Sequence, residues 1–188
     1  MHSIIILASG AGTNAKAIIE YMKTTGKAKV ALVVSNKADA GVLDIAVEAH
    51  IPYLTVTKET FSEALFIDQL SSYNPGIIIL AGFLWKIPAR MIDAFPGKII
   101  NIHPSLLPAH GGKGMYGGRV HSSVLEKADK ESGITIHYVN EHYDAGNIIL
   151  QARCKVKTED SVAGLAERIH KLEHYYYPRT IEYLLDNL

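Results

Sequence analysis

Short apolar runs alternate with amphipathic stretches of helical length through the first part of the chain. The runs are rich in Ile and Val and bounded by turn residues, which is typical of strands buried on both faces; they are Ser3–Leu7, Lys29–Val34, Ile77–Leu80 and Lys98–His103. The predicted helices between them are Asn14–Thr25, Gly41–His50, Phe61–Tyr73 and Pro88–Phe95. This order with short connections predicts an α/β fold, a Rossmann-like, mostly parallel twisted sheet with helices on both faces.

The later part of the chain departs from this alternation. Val120–Ala128 has helical spacing, and the two strand-like runs Gly133–Val139 and Asn147–Val156 are joined by a short polar turn. Such close runs predict an antiparallel C-terminal strand pair appended to the sheet. A long C-terminal helix is predicted over Ser161–Leu188, with Pro178 either kinking it or dividing it in two.

Composition excludes several classes of function. The chain has 188 residues, the length of one domain, and equal numbers of Lys+Arg and Asp+Glu, 19 each. No overall positive field therefore favours nucleic acid or an anionic membrane. The single cysteine, Cys154, excludes an internal disulfide and suits a reducing compartment. With no signal peptide and no apolar run near the ~18 residues of a membrane span, we predict a cytoplasmic monomer or homodimer.

A turn of small residues, Ser9–Ala15, follows the first strand. Small residues let a ligand approach the backbone, and the N–H groups of the next helix attract an anion. The turn also fits a dinucleotide-binding pattern, but that reading expects a carboxylate where Ser35-Asn36-Lys37 ends the second strand. A tight turn capped by Thr13 or Asn14 is the structural alternative. Of the functional interpretations, a phosphate monoester site is favoured.

Asn101 and His103 end a predicted strand and lie two residues apart, so their side chains leave the same face. Asn101 can donate a hydrogen bond to a polarised carbonyl oxygen, and His103 can hold or deliver a proton near neutral pH. The plainer alternative is an Asn in a turn and a surface His. A rigid segment, Pro104–Pro108, then leads into a loop rich in glycine, His110–Gly118, which is typical of a flexible rim that excludes water.

Two further patterns remain open from the residues alone. Asp144 lies in the turn Asn140–Gly146, where a carboxylate serves the turn or keeps a nearby imidazole protonated. His170-Lys171-Leu172-Glu173-His174 matches an inverted zinc-protease pattern. That mechanism needs a further ligand well downstream, and only 14 residues follow His174, among which Glu182 is the one Glu or His. We therefore predict no metal, and expect His170 and Glu173 to face a substrate.

Four segments together resemble the folate-dependent formyltransferase superfamily: Ser9–Asn14, Ala81–Phe83, Asn101–Pro108 and Asp144. The glycine loop and the helix with Glu173 and His174 narrow the resemblance to the phosphoribosylglycinamide formyltransferase family. It implies one formyltransferase domain over 1–188, with a ribonucleotide-phosphate half (1–100) and a catalytic and folate-binding half (101–188). The implied reaction moves a formyl group from the co-substrate 10-formyltetrahydrofolate to the amine of glycinamide ribonucleotide, in purine (IMP) biosynthesis, with no metal.

The resemblance also implies site residues. The catalytic residues are Asn101, His103 and Asp144, and the substrate phosphate is bound by Gly12, Thr13 and Asn14. The glycinamide is contacted by His170, Lys171, Leu172 and Glu173. The folate pocket is lined by Leu84, Trp85, Lys86, Ile87, Asn101, Asn140, Glu141, His142, Tyr143 and Asp144.

The chemistry of these residues agrees with that reaction. Amine attack on the formyl carbon makes an oxyanion, which Asn101 and protonated His103 would stabilise. Asp144 is expected to raise the pKa of His103 so that imidazolium exists at neutral pH. His137 is expected to be a satisfied core histidine, and a place behind the catalytic residues is the less favoured alternative.

The sequence departs from the pattern of some family members, and several alternative functions have to be weighed against formyl transfer. An arginine expected near Ser62–Glu63 for the folate glutamate tail is missing, and Lys58 is the nearest cation. A formyltetrahydrofolate hydrolase shares the catalytic block, as does methionyl-tRNA formyltransferase, which needs a further basic domain. A non-catalytic phosphate sensor would leave Asn101, His103 and Asp144 unexplained. A nicotinamide oxidoreductase would lack its strand-end carboxylate.

Overall fold

The computed structural model describes all 188 residues. The strands are β1 His2–Ala8, β2 Ala28–Ser35, β3 Tyr53–Thr55, β4 Pro75–Leu80, β5 Ile99–His103, β6 Glu131–Tyr138 and β7 Ile148–Lys155. The helices are α1 Thr13–Thr25, α2 Gly41–Glu48, α3 Lys58–Phe61, α4 Ala64–Ser72, α5 Ala89–Ala94, α6 Gly118–Glu126 and α7 Val162–Leu185. The predicted alternation of strands and helices is therefore confirmed.

All strands join one sheet in the order β3-β2-β1-β4-β5-β6-β7. The first five strands pair in parallel, whereas β6 pairs antiparallel with β5 and β7 antiparallel with β6. The predicted antiparallel pair is thus an extension of the main sheet. Because β4 ends at Leu80, opposite Asn101, the last residues of β5 project past the carboxyl edge of the parallel strands. This edge is where open α/β sheets bind ligands.

The sheet separates two apolar cores. Along β1, Ile4 and Ile6 belong to the core beneath α1 and α7, while Ile5 and Leu7 belong to the core beneath α4 and α5. All four side chains are fully buried. Since alternate residues of a strand point to opposite faces, a continuous apolar run is what a strand covered on both sides requires.

Two predicted elements differ in detail. The helix expected over Phe61–Tyr73 is two helices, because Thr57 caps an earlier helix start through a hydrogen bond from the Thr60 backbone N–H. Ser62 ends that first helix, and α4 begins at Ala64. The short strand β3 was not predicted, since three residues carry too little alternation to be recognised.

The last helix is continuous across Pro178, so the proline does not divide it. A guanidinium nitrogen of Arg179 donates to the Tyr175 carbonyl oxygen at 2.7 Å, close to the carbonyl that the proline leaves without its usual donor. Fully buried Tyr177 fastens α7 to the sheet by donating its hydroxyl to the Leu80 carbonyl oxygen at 3.0 Å. None of the helices, α7 included, combines the length and apolar character needed to cross a membrane.

Candidate active site

A cavity of about 400 Å³ opens at the carboxyl edge of β4 and β5. Its walls come from the segment after β4, the end of β5, the glycine loop and the turn between β6 and β7. Asp144 is the one carboxylate among the lining residues, whereas Lys86, Lys113 and Arg119 are cations. The cavity therefore suits a partly apolar ligand that carries negative charge at one end.

Asn101 and His103 both line this cavity, as their spacing on β5 predicts. Each is paired across the strands with a polar residue of β6: Asn101 lies opposite His137, and His103 lies opposite Thr135. The Asn101 amide nitrogen lies 3.2 Å from His137 Nε2. His137 Nδ1 donates to the Tyr138 carbonyl oxygen at 2.8 Å, so Nε2 of a neutral ring accepts from the Asn101 amide, whereas Nε2 of a protonated ring donates to Asp144. One amide hydrogen of Asn101 then remains for a ligand.

Asp144 connects the two histidines. Its Oδ2 lies 3.5 Å from His103 Nδ1, and its Oδ1 lies 3.7 Å from His137 Nε2. The same Oδ2 accepts the Gly112 backbone N–H at 2.9 Å. Burial alone would raise the pKa of Asp144, but the His137 side chain, the charge on His103 and the Gly112 N–H together hold that pKa below its ordinary value. Asp144 is therefore an ionised acceptor at neutral pH.

The position of Asp144 depends on how its turn folds. The strand register places the start of the turn, after Tyr138, beside Ile100. The turn must fold back along the sheet toward the carboxyl end for Asp144 to meet His103. Asp144 adopts a left-handed φ of 53°, a conformation that Asp and Asn tolerate better than most residues. The two interpretations left open by the sequence, turn residue and partner of an imidazole, thus apply together.

His103 is buried, with 3% of its surface exposed. Burial lowers the pKa of His103 below its ordinary value, although Asp144 and the His110 carbonyl oxygen both act to raise it. The expectation that Asp144 would supply imidazolium at neutral pH is therefore corrected: Asp144 works in the expected direction, but burial outweighs it. In the free protein His103 is neutral near pH 7.

Gly12 is constrained by the fold itself. It precedes α1 with a left-handed φ of 77°, and a side chain added there would place its Cβ 2.8 Å from the Val42 backbone and side chain. Thr13 and Asn14 are the first residues of α1, so neither is its cap, and no side chain caps the helix. The backbone N–H groups of this first turn are left without intrahelical partners, as an anion site requires.

The side chain of Asn14 reaches across to the last helix, where its amide donates to Glu173 Oε2 at 2.9 Å. Glu173 is 5% exposed, and burial raises its pKa, with the Asn14 hydrogen bond and the charge on His170 opposing that rise in part. Asn14 Oδ1 is buried and has no partner. The structure therefore brings together one residue of the expected phosphate site and one residue of the expected glycinamide site.

The neighbours of Glu173 on α7 are arranged differently. Lys171 is exposed and pairs with Glu167 at 2.7 Å, and Leu172 packs against the core beneath α1 and α7. The rings of His170 and His174 stack with centroids 6.2 Å apart. No group of three or more His, Cys, Asp or Glu side chains is placed to share a metal ion.

Most residues expected to bind folate line the cavity. These are Leu84, Trp85, Lys86, Ile87, Asn101, Asn140, His142, Tyr143 and Asp144, whereas Glu141 does not line it. The glycine loop contributes Gly112–Tyr116, which agrees with its expected place at the rim. The role of each of these residues toward a ligand stays a prediction.

The sequence favoured a core position for His137 over a position at the site, whereas in the structure His137 contacts Asn101 directly. A signal was present in β6, where Thr135 and His137 alternate with the buried residues Ile134 and Ile136. Polar residues at alternate positions share one face of a strand. That face lies beside Asn101 and His103.

Comparisons with known proteins find similar sequences. A family model described as "Formyl transferase" matches residues 2–181. A protein of Arabidopsis thaliana, "Phosphoribosylglycinamide formyltransferase, chloroplastic", is 39% identical over 185 residues, which cover 95% of this chain and 63% of the relative. The phosphoribosylglycinamide formyltransferase of Haemophilus influenzae is 38% identical over 192 residues, which cover 99% of this chain and 88% of the relative. The chain thus spans less than two thirds of the chloroplastic relative and most of the bacterial one.

The fold has a close counterpart among solved structures. Glycinamide ribonucleotide transformylase 1 from Symbiobacterium toebii matches with a TM-score of 0.90 and 34% sequence identity. The match covers 100% of this chain and 89% of that chain.

Proposed function

Given that this chain belongs to the formyl transferase family, we propose that it transfers the formyl group of 10-formyltetrahydrofolate to the amine of glycinamide ribonucleotide, a step of de novo purine biosynthesis. The observation that carries the proposal is the set of contacts joining Asn101, His137, Asp144 and His103 at the floor of the cavity. The names of the relatives, phosphoribosylglycinamide formyltransferases, support the choice of acceptor.

The chemistry begins with attack of the amine on the formyl carbon. A C–N bond to the amine forms, the carbonyl oxygen becomes an oxyanion, and the bond to N10 of the folate then breaks. The Asn101 amide donates to that oxygen, and His103 donates once protonated. The growing negative charge beside His103 raises its pKa, so the imidazole takes up a proton as the oxyanion forms rather than before.

Starting from the neutral amine, the reaction neither consumes nor releases a proton overall, because the proton lost by that amine is matched by one gained at N10. The amine loses one proton, and N10 gains one when its bond to the formyl carbon breaks. Asp144 is ionised and lies within 3.5 Å of His103, so these two residues can pass the proton between them, directly or through a water. General acid–base assistance of this kind contributes about 10² to 10⁴ in rate.

The folate occupies the cavity of about 400 Å³, with its formyl group near Asn101 and His103. The aromatic residues Phe61, Phe83 and Trp85 pack together on one side, with ring centroids 5.2 to 6.1 Å apart. Lys86, Lys113 and Arg119 line the cavity and pair with the carboxylates of the glutamate tail. These cations take the place of the arginine that is missing near Ser62–Glu63. Lys58, the cation nearest to that gap in sequence, does not line the cavity.

The ribonucleotide lies between the first turn of α1 and α7. The open N–H groups of Thr13 and Asn14 hold its phosphate, with Gly12 shaping the turn. Glu173 meets the glycinamide amine, and the positive charge of the ammonium form favours the ionised carboxylate and offsets the burial that raises the Glu173 pKa. The ammonium gives one proton to water before the neutral amine attacks. Among the four residues expected on α7, Glu173 thus has the leading role.

A hydrolase that uses water in place of the amine is the alternative reaction for the same catalytic residues. An assay with 10-formyltetrahydrofolate, with and without glycinamide ribonucleotide, separates the two. We expect folate product only when the amine is present. Product at the same rate in both would make the chain a hydrolase. A cytoplasmic location and a monomeric or homodimeric state stay predictions.

A further inference from the structure

His103 forms a hydrogen bond with the backbone of His110, a residue outside the expected site. Its Nε2 lies 2.8 Å from the His110 carbonyl oxygen, to which it donates. A carbonyl oxygen only accepts, so the proton of neutral His103 resides on Nε2. The free lone pair is then on Nδ1, the nitrogen that faces Asp144 at 3.5 Å. The His110 carbonyl thereby selects which nitrogen of His103 carries the proton and which one is left free beside Asp144.

The backbone of His110 has an uncommon conformation that brings this carbonyl into place. Its φ is 55°, in the left-handed region that residues other than glycine rarely adopt. Such a conformation persists where surrounding contacts hold it. The preceding turn is fixed as well, since Ser105 Oγ donates to the Ala109 carbonyl oxygen at 2.6 Å.

The imidazole of His110 supplies contacts of that kind. Its Nε2 lies 2.6 Å from Asp129 Oδ2, and its Nδ1 lies 2.8 Å from Ser123 Oγ. Only 3% of the His110 side chain is exposed. Because the carboxylate accepts, Nε2 carries a proton, and the Ser123 hydroxyl donates to Nδ1 when the ring is neutral. Both nitrogens are therefore satisfied without any ligand.

These contacts connect the catalytic strand to a distant part of the chain. Ser123 lies on α6, and Asp129 lies in the turn between α6 and β6. Neither residue lines the cavity. Their combined effect is to fix the His110 carbonyl against His103.

We propose that His110, held by Ser123 and Asp129, is a positioning residue that keeps catalytic His103 in the Nε2-protonated tautomer and leaves Nδ1, beside Asp144, free to take up the proton that His103 then donates to the reacting carbonyl. The kinetic part of this proposal rests on the proposed formyl transfer. The tautomer itself is a property of the free protein and is measured without substrates.

The test uses His110→Gly, which removes the ring while glycine accepts the left-handed φ without strain. Long-range nitrogen-15 NMR spectra of the free protein report the tautomer of His103. We expect the Nε2-protonated form to dominate in the unmodified protein and to lose population in the variant. In the formyl-transfer assay, we expect kcat to fall about 10- to 100-fold, as loss of buried hydrogen bonds implies, with both KM values within about threefold.

Asp129 offers a second pair of variants outside the turn, should His110→Gly fail to fold. Asp129→Asn keeps an acceptor for His110 Nε2 and is expected to retain most of kcat, whereas Asp129→Ala is expected to follow His110→Gly. Glu131→Gln is the matched control, since Glu131 pairs with exposed Arg153 and contacts neither histidine.

Two results would overturn the proposal. An unchanged His103 tautomer in His110→Gly and Asp129→Ala would show that the carbonyl needs no such support. Equal loss of kcat in Asp129→Asn and Asp129→Ala, with the tautomer intact, would mean a general structural role. If the unmodified protein transfers no formyl group but the tautomer shifts as expected, the proposed function fails and the positioning stands.

Discussion

Asp144, whose side chain is 12% exposed, and buried Glu173 have surroundings that give the two carboxylates opposite properties. Asp144 is met by two histidines and the Gly112 N–H, which hold its pKa below the ordinary value despite burial. Glu173 has the Asn14 amide as its one hydrogen-bond partner, and burial raises its pKa. Burial acts in the same direction on both groups, so the number of donors decides the outcome.

The difference assigns distinct tasks to the two groups. An ionised carboxylate beside His103 is ready to stabilise imidazolium before any substrate arrives. Glu173 has one hydrogen-bond donor, and the charge on His170 offsets its burial only in part, so the protonated amine of the ribonucleotide would supply a further charged partner. We therefore expect Asp144 to act in the chemical step and Glu173 to act in binding.

The largest expected effect comes from removing the charge of Asp144. Asp144→Asn keeps a residue that tolerates φ of 53° and an oxygen for the Gly112 N–H. The His103 pKa should fall further, and kcat should drop by about 10² to 10⁴. Substrate KM values should change only a few-fold. Kinetics together with an NMR titration of His103 measure this. A normal kcat with an unchanged His103 pKa would leave Asp144 as a turn residue.

The matching change at the other carboxylate should act on binding. Glu173→Gln keeps an acceptor for the Asn14 amide but cannot pair with the glycinamide amine. A hydrogen bond to a charged group is worth about 1.5–3 kcal/mol, so the ribonucleotide KM should rise about 10- to 100-fold. The folate KM and kcat should change little. Steady-state kinetics with each substrate varied in turn measure these constants. A lower kcat with an unchanged ribonucleotide KM would contradict the assignment of Glu173 to binding.

The two carboxylates should also respond to pH with opposite sign. The depressed pKa of Asp144 adds stability above its unfolded value of about 3.9, and that stability is lost as pH falls through the folded value. The raised pKa of Glu173 adds stability below its unfolded value of about 4.3, and that stability is lost as pH rises through the folded value. A tenfold difference in proton affinity between the folded and unfolded states corresponds to about 1.4 kcal/mol.

Urea unfolding between about pH 3 and pH 8 tests these signs. The stability difference between the unmodified protein and Asp144→Asn should shrink on acidification. Relative to the unmodified protein, Glu173→Gln should gain stability as pH rises. If the stability differences of both variants changed with pH in the same direction, the two carboxylates would not have opposite pKa shifts.

The smallest effect concerns carboxylates that the substrate itself carries. Lys86 and Lys113 line the cavity but are exposed, so their pairs with the glutamate tail are worth about 0.2–1 kcal/mol each. The double change Lys86→Gln with Lys113→Gln should raise the folate KM about two- to tenfold at low salt and less at high salt. Lys29→Gln is the control, because Lys29 is exposed on β2 and does not line the cavity. An equal effect on a folate analogue without the tail would place the tail elsewhere.

The elements of the fold followed from the sequence because apolar runs such as those of β1 and β4 record burial on both faces. Asn101 and His103 were predicted because their spacing on one strand places them on one face whatever the rest of the chain does. The net shift of the His103 pKa was predicted in the wrong direction, since it depends on burial by segments remote in sequence. The contact of Asn14 with Glu173 likewise arises from packing between the first and last helices.

The proposed positioning role of His110 could not be predicted from the sequence for a related reason. Its backbone angle and its contacts with Ser123 and Asp129 exist only once α6 has packed. A histidine before two glycines carries no such information, and the sequence indicated only a flexible loop.

The packing of α1 against α7 has a consequence for how the protein is made. Asn14 and Glu173 are 159 residues apart, and Tyr21 bonds to Glu182 across a similar interval. Contacts of long sequence separation form late, because the intervening chain must first be ordered. A chain emerging from the ribosome therefore exposes the apolar face beneath α7 until its final helix arrives, and the proposed ribonucleotide site forms last. Pulse-labelled hydrogen exchange during refolding should show protection of α1 and α7 amides rising together, after that of the central strands.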